Sequence, residues 1–505
     1  MRHPVTTRRN RHGCERPALK AGALLLLSAG IVGAGCTVGP TYRTPTVATP
    51  RSYADLPTTS SEAPLSIPSP SQGDLGQWWL QFHDPELDRL VARALQANLD
   101  LQSAASRIRQ GREQEIVAGS ALVPHIGSSA TAMHLHSNSN PLAGLSGASG
   151  SSGGNSSLGL TLYSLGFDAS WELDLFGQTR RAVQAARATT EASLWQMRDA
   201  EVSLTAEVAN DYIQLRATQA RTRIARDSIA SEEGLLNLAR ARARVGLVTE
   251  LDVNQQLAQL ASTRAELPTL AAEEKALMHA LAVLLAQQPQ ALEQELSHVG
   301  AVPAVPTSLP AGLPSDLLRR RPDVRAAERR LAAATAEEGV AVAALYPRFD
   351  LLGLGAFAGS SVSGLVSANH FSALGLGLID WPLFDGGKRR ATVRAQREAR
   401  TQSYLAYRQS VLAALQDVED ALARYTSDQQ RLLALRQEQA AAASSLVIAQ
   451  AQYRTGLVTF INVLQASATD LSARDQVERS TQALAQDLVS LYKALGGGWD
   501  RPPGA

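Results

Sequence analysis

Cysteine, aromatic side chains and long apolar runs are scarce in this chain of 505 residues. Its two cysteines are Cys14 and Cys36, and aromatic residues make up 5% of the sequence. A fold held together by several disulfide bonds is therefore excluded, and so few aromatic residues are unusual for a packed globular enzyme. The apolar run over 21–34 is too short to cross a bilayer as a helix.

Motifs for catalysis and for nucleic-acid binding are also missing from the sequence. It contains no phosphate-binding loop, nucleophile elbow or zinc-helix motif. His134 and His136 share one predicted strand face, but no third metal ligand is close in sequence, so a lumen or surface pair is favoured. Six basic residues against Glu15 give the first 20 residues a charge of +5, which leaves −4 of the total +1 for the remainder. We therefore expect no enzyme activity, no cofactor or metal and no nucleic-acid partner.

The first 35 residues have the features of an export signal. A basic stretch up to Lys20 precedes the apolar run, and small residues precede Cys36. This order predicts a signal peptide over 1–35 that is removed, by either the Sec or the twin-arginine route. Val32–Cys36 is similar to a bacterial lipobox, so Cys36 is expected to carry acyl chains such as palmitate. Ordinary cleavage beside an incidental cysteine is the alternative.

Residues 36–76 are rich in Pro, Ser and Thr and have no apolar periodicity, which predicts an extended tether. Trp78, Trp79 and Phe82 follow it and precede a helix start at Asp84 and Pro85. An aromatic cage is conceivable for these three side chains. Core packing where the tether reaches the folded part is the favoured interpretation.

A duplicated stretch organises the rest of the chain. Gly-Leu-Val-Thr occurs at 246–249 and again at 456–459, 210 positions later, with an arginine two places upstream in both copies. Gly177 and Gly387 keep the same offset, whereas Pro124 and Pro347 are 223 positions apart. The 13-residue difference between the two offsets must lie between Pro124 and Gly177, where the Gly/Ser-rich tract 138–157 is found. The pattern predicts an internal two-fold repeat over 77–300 and 313–499, with a linker at 301–312 and a tail at 500–505.

Each repeat is expected to contain a helix, a β-hairpin, a long helix, a tip turn and a return helix. Alanine dominates the apolar residues and favours long helices that pack closely, and a helix of this length is a rod of roughly 100 Å. Val411, Leu415, Val418, Leu422 and Tyr425 follow the 4-3 spacing of a coiled coil. The predicted ranges are 86–123, 124–176, 178–245, 244–252 and 250–288 in the first repeat, and 314–346, 347–384, 388–455, 454–462 and 460–495 in the second.

The hairpins have a membrane-like pattern. From Tyr163 to Leu175, apolar and polar residues alternate over a length that suits a transmembrane barrel strand. A half-buried strand of a soluble sheet is the alternative. Four strands cannot close a barrel, since single-chain barrels begin at about eight. Two chains would supply eight strands and three would supply twelve, so oligomerisation is expected.

Six stretches of the sequence are typical of one known family, namely Cys36–Pro40, Trp78–Trp79, Trp171–Gly177, Leu313–Asp323, Leu345–Phe349 and Lys493–Trp499. Through them the chain resembles the TolC/NodT family of outer membrane factors. The resemblance implies a mixed α and β membrane protein that is a lipoprotein: a long antiparallel α-helical coiled-coil barrel plus four transmembrane β-strands per chain, assembling as a homotrimer with a 12-stranded barrel. It also implies efflux through the outer membrane, with a periplasmic adaptor, an inner-membrane transporter of the RND type and outer membrane lipids as partners.

The same resemblance assigns roles to the two tips. Adaptor contacts are expected at Arg244, Gly246, Leu247, Val248, Thr249, Arg454, Gly456, Leu457, Val458 and Thr459. A periplasmic gate is expected at Glu250, Leu251, Asp252, Gln255, Ile461 and Gln465, with Leu251 and Ile461 as an apolar ring. A coiled-coil lipoprotein that scaffolds the envelope without conducting anything is the alternative function, and the alternating hairpins argue against it.

Overall fold

The structure, a computed structural model, describes residues 37–54, 67–69, 75–137, 158–306, 308–310, 314–363 and 365–499. The expected signal peptide, Cys36, the Gly/Ser-rich tract and the tail lie outside the described residues. The chain divides into two compact units. The strand unit contains residues up to 42, 113–187 and 332–400, and the helix unit contains 43–112, 188–331 and the residues from 401 onward.

The elements follow one another in the predicted order within the described residues. The strands are β1 (Ile67–Ser69), β2 (His125–Ser137), β3 (Leu158–Leu173), β4 (Ser308–Pro310), β5 (Arg348–Gly359) and β6 (Phe371–Asp380). The helices are α1 (Pro85–Ala97), α2 (Leu99–Ser120), α3 (Gln178–Arg244), α4 (Glu250–Leu284), α5 (Glu293–Leu296), α6 (Pro314–Arg320), α7 (Pro322–Ala343), α8 (Lys388–Arg454) and α9 (Phe460–Ala494). Helices α3 and α8 match the two predicted long helices to within one residue, and α9 matches the second predicted return helix equally well.

In the strand unit the two hairpins merge into one antiparallel sheet with the order β2-β3-β5-β6. The central pair is β3 with β5, in a register that sets Tyr163 opposite Gly359 and Leu173 opposite Phe349. The outer strands β2 and β6 each have one neighbour among the described residues. Each therefore presents a row of unpaired backbone N–H and C=O groups along its other edge.

Both helices that were expected to precede the hairpins are broken, so the single helices predicted over 86–123 and 314–346 are wrong. Asn98 ends α1 and caps α2, because its Oδ1 accepts hydrogen bonds from the backbone N–H of Asp100 at 2.9 Å and of Leu101 at 3.1 Å. In the second repeat Arg321 interrupts the helix before Pro322, since a residue that precedes proline is disfavoured in the α region.

The first return helix is shorter than the predicted range 250–288. Helix α4 ends at Leu284, and Ala286 takes a left-handed backbone with φ 55°. The N–H of Ala286 donates to Val283 O at 2.9 Å and that of Gln287 to Ala282 O at 2.8 Å. This is a Schellman ending in which alanine replaces the usual glycine, so the sequence carried no glycine to signal it.

The core of the helix unit lies along the long helices. On α3 the seam residues Leu204, Val208, Tyr212 and Leu215 are all buried. On α8 the seam is shifted slightly, because Ala414 is buried whereas the predicted Leu415 is half-buried. Each of these helices has 67 residues and is roughly 100 Å long.

The aromatic group after the tether is packed as core. Trp78 is fully buried, stacks on Tyr492 with ring centroids 5.2 Å apart, and meets Trp79 edge-on. These contacts fill the space that an aromatic cage would need. In the part of the chain that the structure describes, no helix combines the length and apolarity needed to cross a bilayer.

Candidate functional site

The two tip turns have the same backbone. At the end of α3, Gly246 has φ +72°, and the N–H groups of Gly246 and Leu247 donate to Ala243 O and Arg242 O, both at 3.0 Å. At the end of α8, Gly456 has φ +81° and the equivalent bonds are 3.0 and 2.9 Å long. Each turn is a Schellman motif that needs a positive φ at its glycine. The repeated Gly-Leu-Val-Thr therefore encodes one turn twice.

The return helices begin differently. Asp252 Oδ2 accepts hydrogen bonds from the N–H of Thr249 at 3.1 Å and from its hydroxyl at 3.2 Å, and an acid at a helix N-terminus is stabilised by the helix dipole. At the second tip Asn462 Nδ2 donates to Thr459 Oγ1 at 3.2 Å. The first tip thus begins its return helix with a carboxylate and the second with an amide.

A shared apolar cluster joins the two tips of one chain. We call it the tip cluster, and its buried members are Leu235 of α3, Tyr453 of α8, and Phe460 and Val463 of α9. The rings of Tyr453 and Phe460 are 5.4 Å apart. Val248 and Val458 pack against this cluster and are half-buried. Both valines therefore keep only part of their surface at the tip, because the rest covers the cluster.

Arg242 forms a polar link between the tips beside this cluster. Its two terminal nitrogens donate to Tyr453 O and Arg454 O, both at 2.9 Å, and its Cζ lies 4.4 Å from the centroid of the Tyr453 ring. A guanidinium suits the carbonyls at a helix C-terminus because of their partial negative charge. Gln452 holds the equivalent position on α8, and its side chain makes no hydrogen bond among the described residues. The link therefore runs one way, from the first tip to the second.

The interior of the first tip contains a buried carboxyl. Glu232 is 1% exposed, and its Oε1 accepts a hydrogen bond from Thr263 Oγ1 at 3.1 Å, which joins α3 to α4. Gln256 adds a second link by donating to the Glu232 backbone carbonyl at 3.1 Å. Burial raises the pKa of the Glu232 carboxyl above its ordinary value of 4.5. The second tip has Ala442 at the equivalent position.

The structure leaves most of the predicted tip residues at the surface. Leu247 is 72% exposed, Leu457 76%, Leu251 64% and Ile461 40%. The exposed polar and glycine residues of the predicted set are Arg244, Gly246, Thr249, Arg454, Gly456, Thr459, Glu250 and Gln465. Gln255 is half-buried, and in the described part of the chain Glu250, Gln255 and Gln465 make no side-chain hydrogen bond or ion pair. Asp252 is used in its local cap, so one chain alone forms no polar lock between the predicted gate residues.

Sequence reasoning missed Arg242, Leu235, Tyr453 and Glu232. Tyr453 and Phe460 flank the second tip turn in a chain with few aromatic residues, and this could have indicated the cluster. Arg242 gave no comparable signal, because its partners are 211 and 212 residues away. A ring nitrogen of His134 is 2.8 Å from the Thr161 hydroxyl. The described residues contain no group of three potential metal ligands.

Comparison with known proteins decides the family. A model of the family described as "Outer membrane efflux protein" matches residues 90–287 and 313–497. The chain belongs to this family. Pyoverdine export outer membrane protein OpmQ of Pseudomonas aeruginosa is 33% identical over 477 residues, 94% of this chain and 97% of OpmQ. Nodulation protein T of Rhizobium leguminosarum bv. viciae is 29% identical over 479 residues, 92% of each protein.

Solved structures agree with this assignment. The outer-membrane channel OprN is 35% identical, covers 92% of this chain and 100% of its own, and superposes with a TM-score of 0.84. The open state of the MtrE outer membrane channel of Neisseria gonorrhoeae is 26% identical, covers 93% and 100%, and gives a TM-score of 0.77.

Membership of the outer membrane efflux protein family confirms several expectations from the sequence. The predicted family, the mixed α and β fold, the outer membrane location with most of the chain in the periplasm, and the efflux function are confirmed. The family is a transport family. The scaffold alternative is therefore the weaker interpretation of the long helices.

Proposed function

We propose that this protein is the outer membrane channel of a tripartite efflux pump. Three copies form a 12-stranded barrel, and cargo delivered by a periplasmic adaptor and an RND-type inner-membrane transporter passes through it chemically unchanged, with no catalytic step. The observation that carries the proposal is the four-stranded sheet, whose outer strands β2 and β6 each have an open edge in the described chain. Copies placed side by side would pair β6 of one with β2 of the next.

The names of relatives support export as the direction of transport. OpmQ is named for pyoverdine export, and a 30% identical protein of Pseudomonas putida is named "Probable efflux pump outer membrane protein TtgC". These cargoes are the relatives' own. The polar side chains that alternate along β3, such as Ser164 and Asp168, would face the lumen of the proposed barrel. They indicate no one cargo, so we propose the transport class and no particular substrate.

The exposed tips are the proposed adaptor contact. Arg244, Leu247, Arg454 and Leu457 project from turns whose backbone is fixed, and Gly246, Thr249, Gly456 and Thr459 complete the surface. Exposed leucines at a tip are a liability unless a partner covers them. Val248 and Val458 support this surface from below through the tip cluster.

The proposed gate lies just beyond these contacts. Leu251 and Ile461 are exposed in one chain, and three copies would bring them together as an apolar ring. Glu250, Asp252, Gln255 and Gln465 supply weaker polar contacts around it. Arg242 and the tip cluster act as a latch within each chain, since they oppose any movement of the second tip away from the first.

Conductance in planar bilayers tests the gate. Leu251→Ala together with Ile461→Ala removes the apolar ring, so the open probability should rise several-fold. Leu247→Ala together with Leu457→Ala is the matched control, since it removes the same volume from the same tips and should weaken adaptor binding without changing conductance. Unchanged conductance in the first pair would exclude this gate.

Two simpler measurements test the channel itself and the anchor. Purified protein should migrate as a heat-modifiable oligomer and form pores, whereas a scaffold would do neither.

We also propose that residues 1–35 are removed, that Cys36 is acylated, and that 77–300 and 313–499 are the two repeats. Mass spectrometry of the mature N-terminus checks the first two points, and a Cys36→Ser variant should lack the lipid mass.

A further inference from the structure

The base of the first repeat, where β3 leads into α3, is covered by the chain's own N-terminal segment. The Val38 N–H donates to Phe176 O at 3.1 Å, and Arg181 is buried and donates to the carbonyls of Val38 and Gly39 at 3.3 and 3.4 Å. A Cβ on Gly177 would lie 2.6 Å from Thr37 Cγ2, so the fit is close. The N-terminal segment therefore occupies both the arginine and the glycine turn of this base.

Among the described residues, nothing comparable covers the equivalent base of the second repeat. Gly387 stands 210 positions after Gly177, with φ +87°, and a Cβ there would meet nothing within 4 Å. Directly after β6, the side chains of Trp381, Leu383 and Phe384 are 54%, 82% and 92% exposed. Trp381 Nε1 donates to Leu345 O at 3.3 Å, which holds one edge of the indole while its face stays open.

Positive charge adjoins this apolar surface. Lys388, Arg390 and Arg394 lie on the first two turns of α8, are exposed, and make no side-chain hydrogen bond or ion pair among the described residues. Asp385 is the one acid between Trp381 and Arg394. Its carboxylate accepts from the N–H of Gly387 and of Arg389, both at 3.0 Å, and so remains in the local turn. We call Trp381, Leu383, Phe384, Lys388, Arg390 and Arg394 the basal patch.

We propose that the basal patch binds an anionic phospholipid of the periplasmic leaflet of the outer membrane. Aromatic residues concentrate where membrane strands leave the bilayer, and β6 ends at Asp380, one residue before the patch. The acyl chains would cover Trp381, Leu383 and Phe384, and the acidic headgroup would lie against Lys388 and Arg390. Basic residues near an anionic leaflet each contribute about 1 kcal/mol, or about a factor of five.

Charge distinguishes this occupant from a second copy of the chain. A neighbouring copy pairing with β6 would bring the start of its β2 and the end of its α2 to the patch, where the nearest carboxylates, Glu113 and Glu115, are two against the three cations. A phosphate-bearing lipid supplies both the negative charge and the apolar area. The inference depends on the strands crossing the outer membrane and is independent of the proposed gate and adaptor contact.

Native mass spectrometry of the full-length protein in detergent tests the proposal, with phosphatidylglycerol, phosphatidylcholine or inorganic phosphate as the added probe. The wild type should retain phosphatidylglycerol preferentially. Lys388→Gln together with Arg390→Gln should weaken that retention about 25-fold, from two charges at about a factor of five each, without changing phosphatidylcholine retention. Leu383→Ala together with Phe384→Ala should weaken both lipids equally.

Arg408→Gln together with Arg431→Gln provides the matched control, because both arginines are exposed on the same helix away from the patch. This control should behave as the wild type. Equal retention of the two lipids, unchanged retention in the Lys388/Arg390 variant, or saturation by inorganic phosphate alone would overturn the proposal. A loss of oligomer mass in that variant would overturn it in favour of an interface between copies. Its pore conductance should stay normal, so failure of the lipid site and failure of the channel can be told apart.

Discussion

The two tips share a backbone and differ in what lies beneath it. Both are Schellman turns at a glycine followed by a threonine at the start of the return helix. Beneath the first is a buried carboxyl that accepts a hydrogen bond from the Thr263 hydroxyl, whereas beneath the second are the tilted rings of Tyr453 and Phe460. The two copies of the repeat therefore share the geometry of the turn but differ in the residues that lie beneath it.

Arg242 makes this divergence functional. It belongs to the first tip and binds carbonyls of the second, and the position that would return the contact holds Gln452. A symmetric pair of tips could not form this one-way link. The strongest test is therefore to change one tip at a time and ask whether its counterpart responds in the same way.

The largest difference is expected at Phe460. Phe460→Ala should destabilise the tip locally by about 3–5 kcal/mol, because a fully buried ring leaves a cavity. Glu250 stands at the equivalent position of the first tip, 210 residues earlier. Glu250→Ala removes an exposed side chain and should cost about 0.5 kcal/mol. Hydrogen exchange of the amides over 453–466 and 243–256 measures both local opening energies. Equal losses of stability in the Phe460 and Glu250 variants would contradict the assignment of the Phe460 ring to the tip cluster.

Arg242→Ala is expected to have the next largest effect. It removes two hydrogen bonds from a charged donor and a cation–π contact, about 2 kcal/mol for a half-buried side chain, and should raise the open probability of the channel. Arg240→Ala is the matched control, since Arg240 is exposed on the same helix and has no side-chain partner in the described part. If both variants conduct alike, Arg242 is not a latch.

A pH dependence should distinguish the tips more subtly. Burial raises the pKa of Glu232, so the folded first tip favours the neutral carboxyl. The contribution of this carboxyl to the stability of the folded tip is complete below the ordinary value of 4.5 and is lost as the pH rises through the raised pKa. Exchange rates over 228–263 should therefore increase with pH beyond their intrinsic dependence, whereas Glu232→Gln should remove the excess. The segment around Ala442 serves as the internal control, and a parallel excess there would refute the explanation.

The smallest effect tests the feature that the tips share. Gly246→Ala and Gly456→Ala should each cost about 1 kcal/mol, because both positions have a positive φ and a Cβ at either meets nothing within 4 Å. The cost should be the same at both tips, as read from exchange protection at the ends of α3 and α8. A clear inequality would mean that the backbone equivalence fails.

Local patterns were sufficient to predict much of this molecule. Gly246 and Thr249 identify a turn from their own chemistry, and the alternation from Tyr163 to Leu175 identifies a strand without any partner. The break at Asn98 could have been read from its capping character, but the left-handed Ala286 had no glycine to mark it. Arg242 and the burial of Val248 depend on contacts more than 200 residues away in sequence. Such contacts become visible only when both tips are placed together.

The open edges of β2 and β6 have a consequence for genetics. In the proposed trimer every copy completes the sheet of its two neighbours, so a chain whose β6 edge is blocked would damage assemblies that also contain normal copies. Such an allele should be dominant when it is co-expressed with the wild type. An allele altered at a tip should instead be tolerated in mixed assemblies, because the hydrogen bonds of Arg242 lie within a single chain.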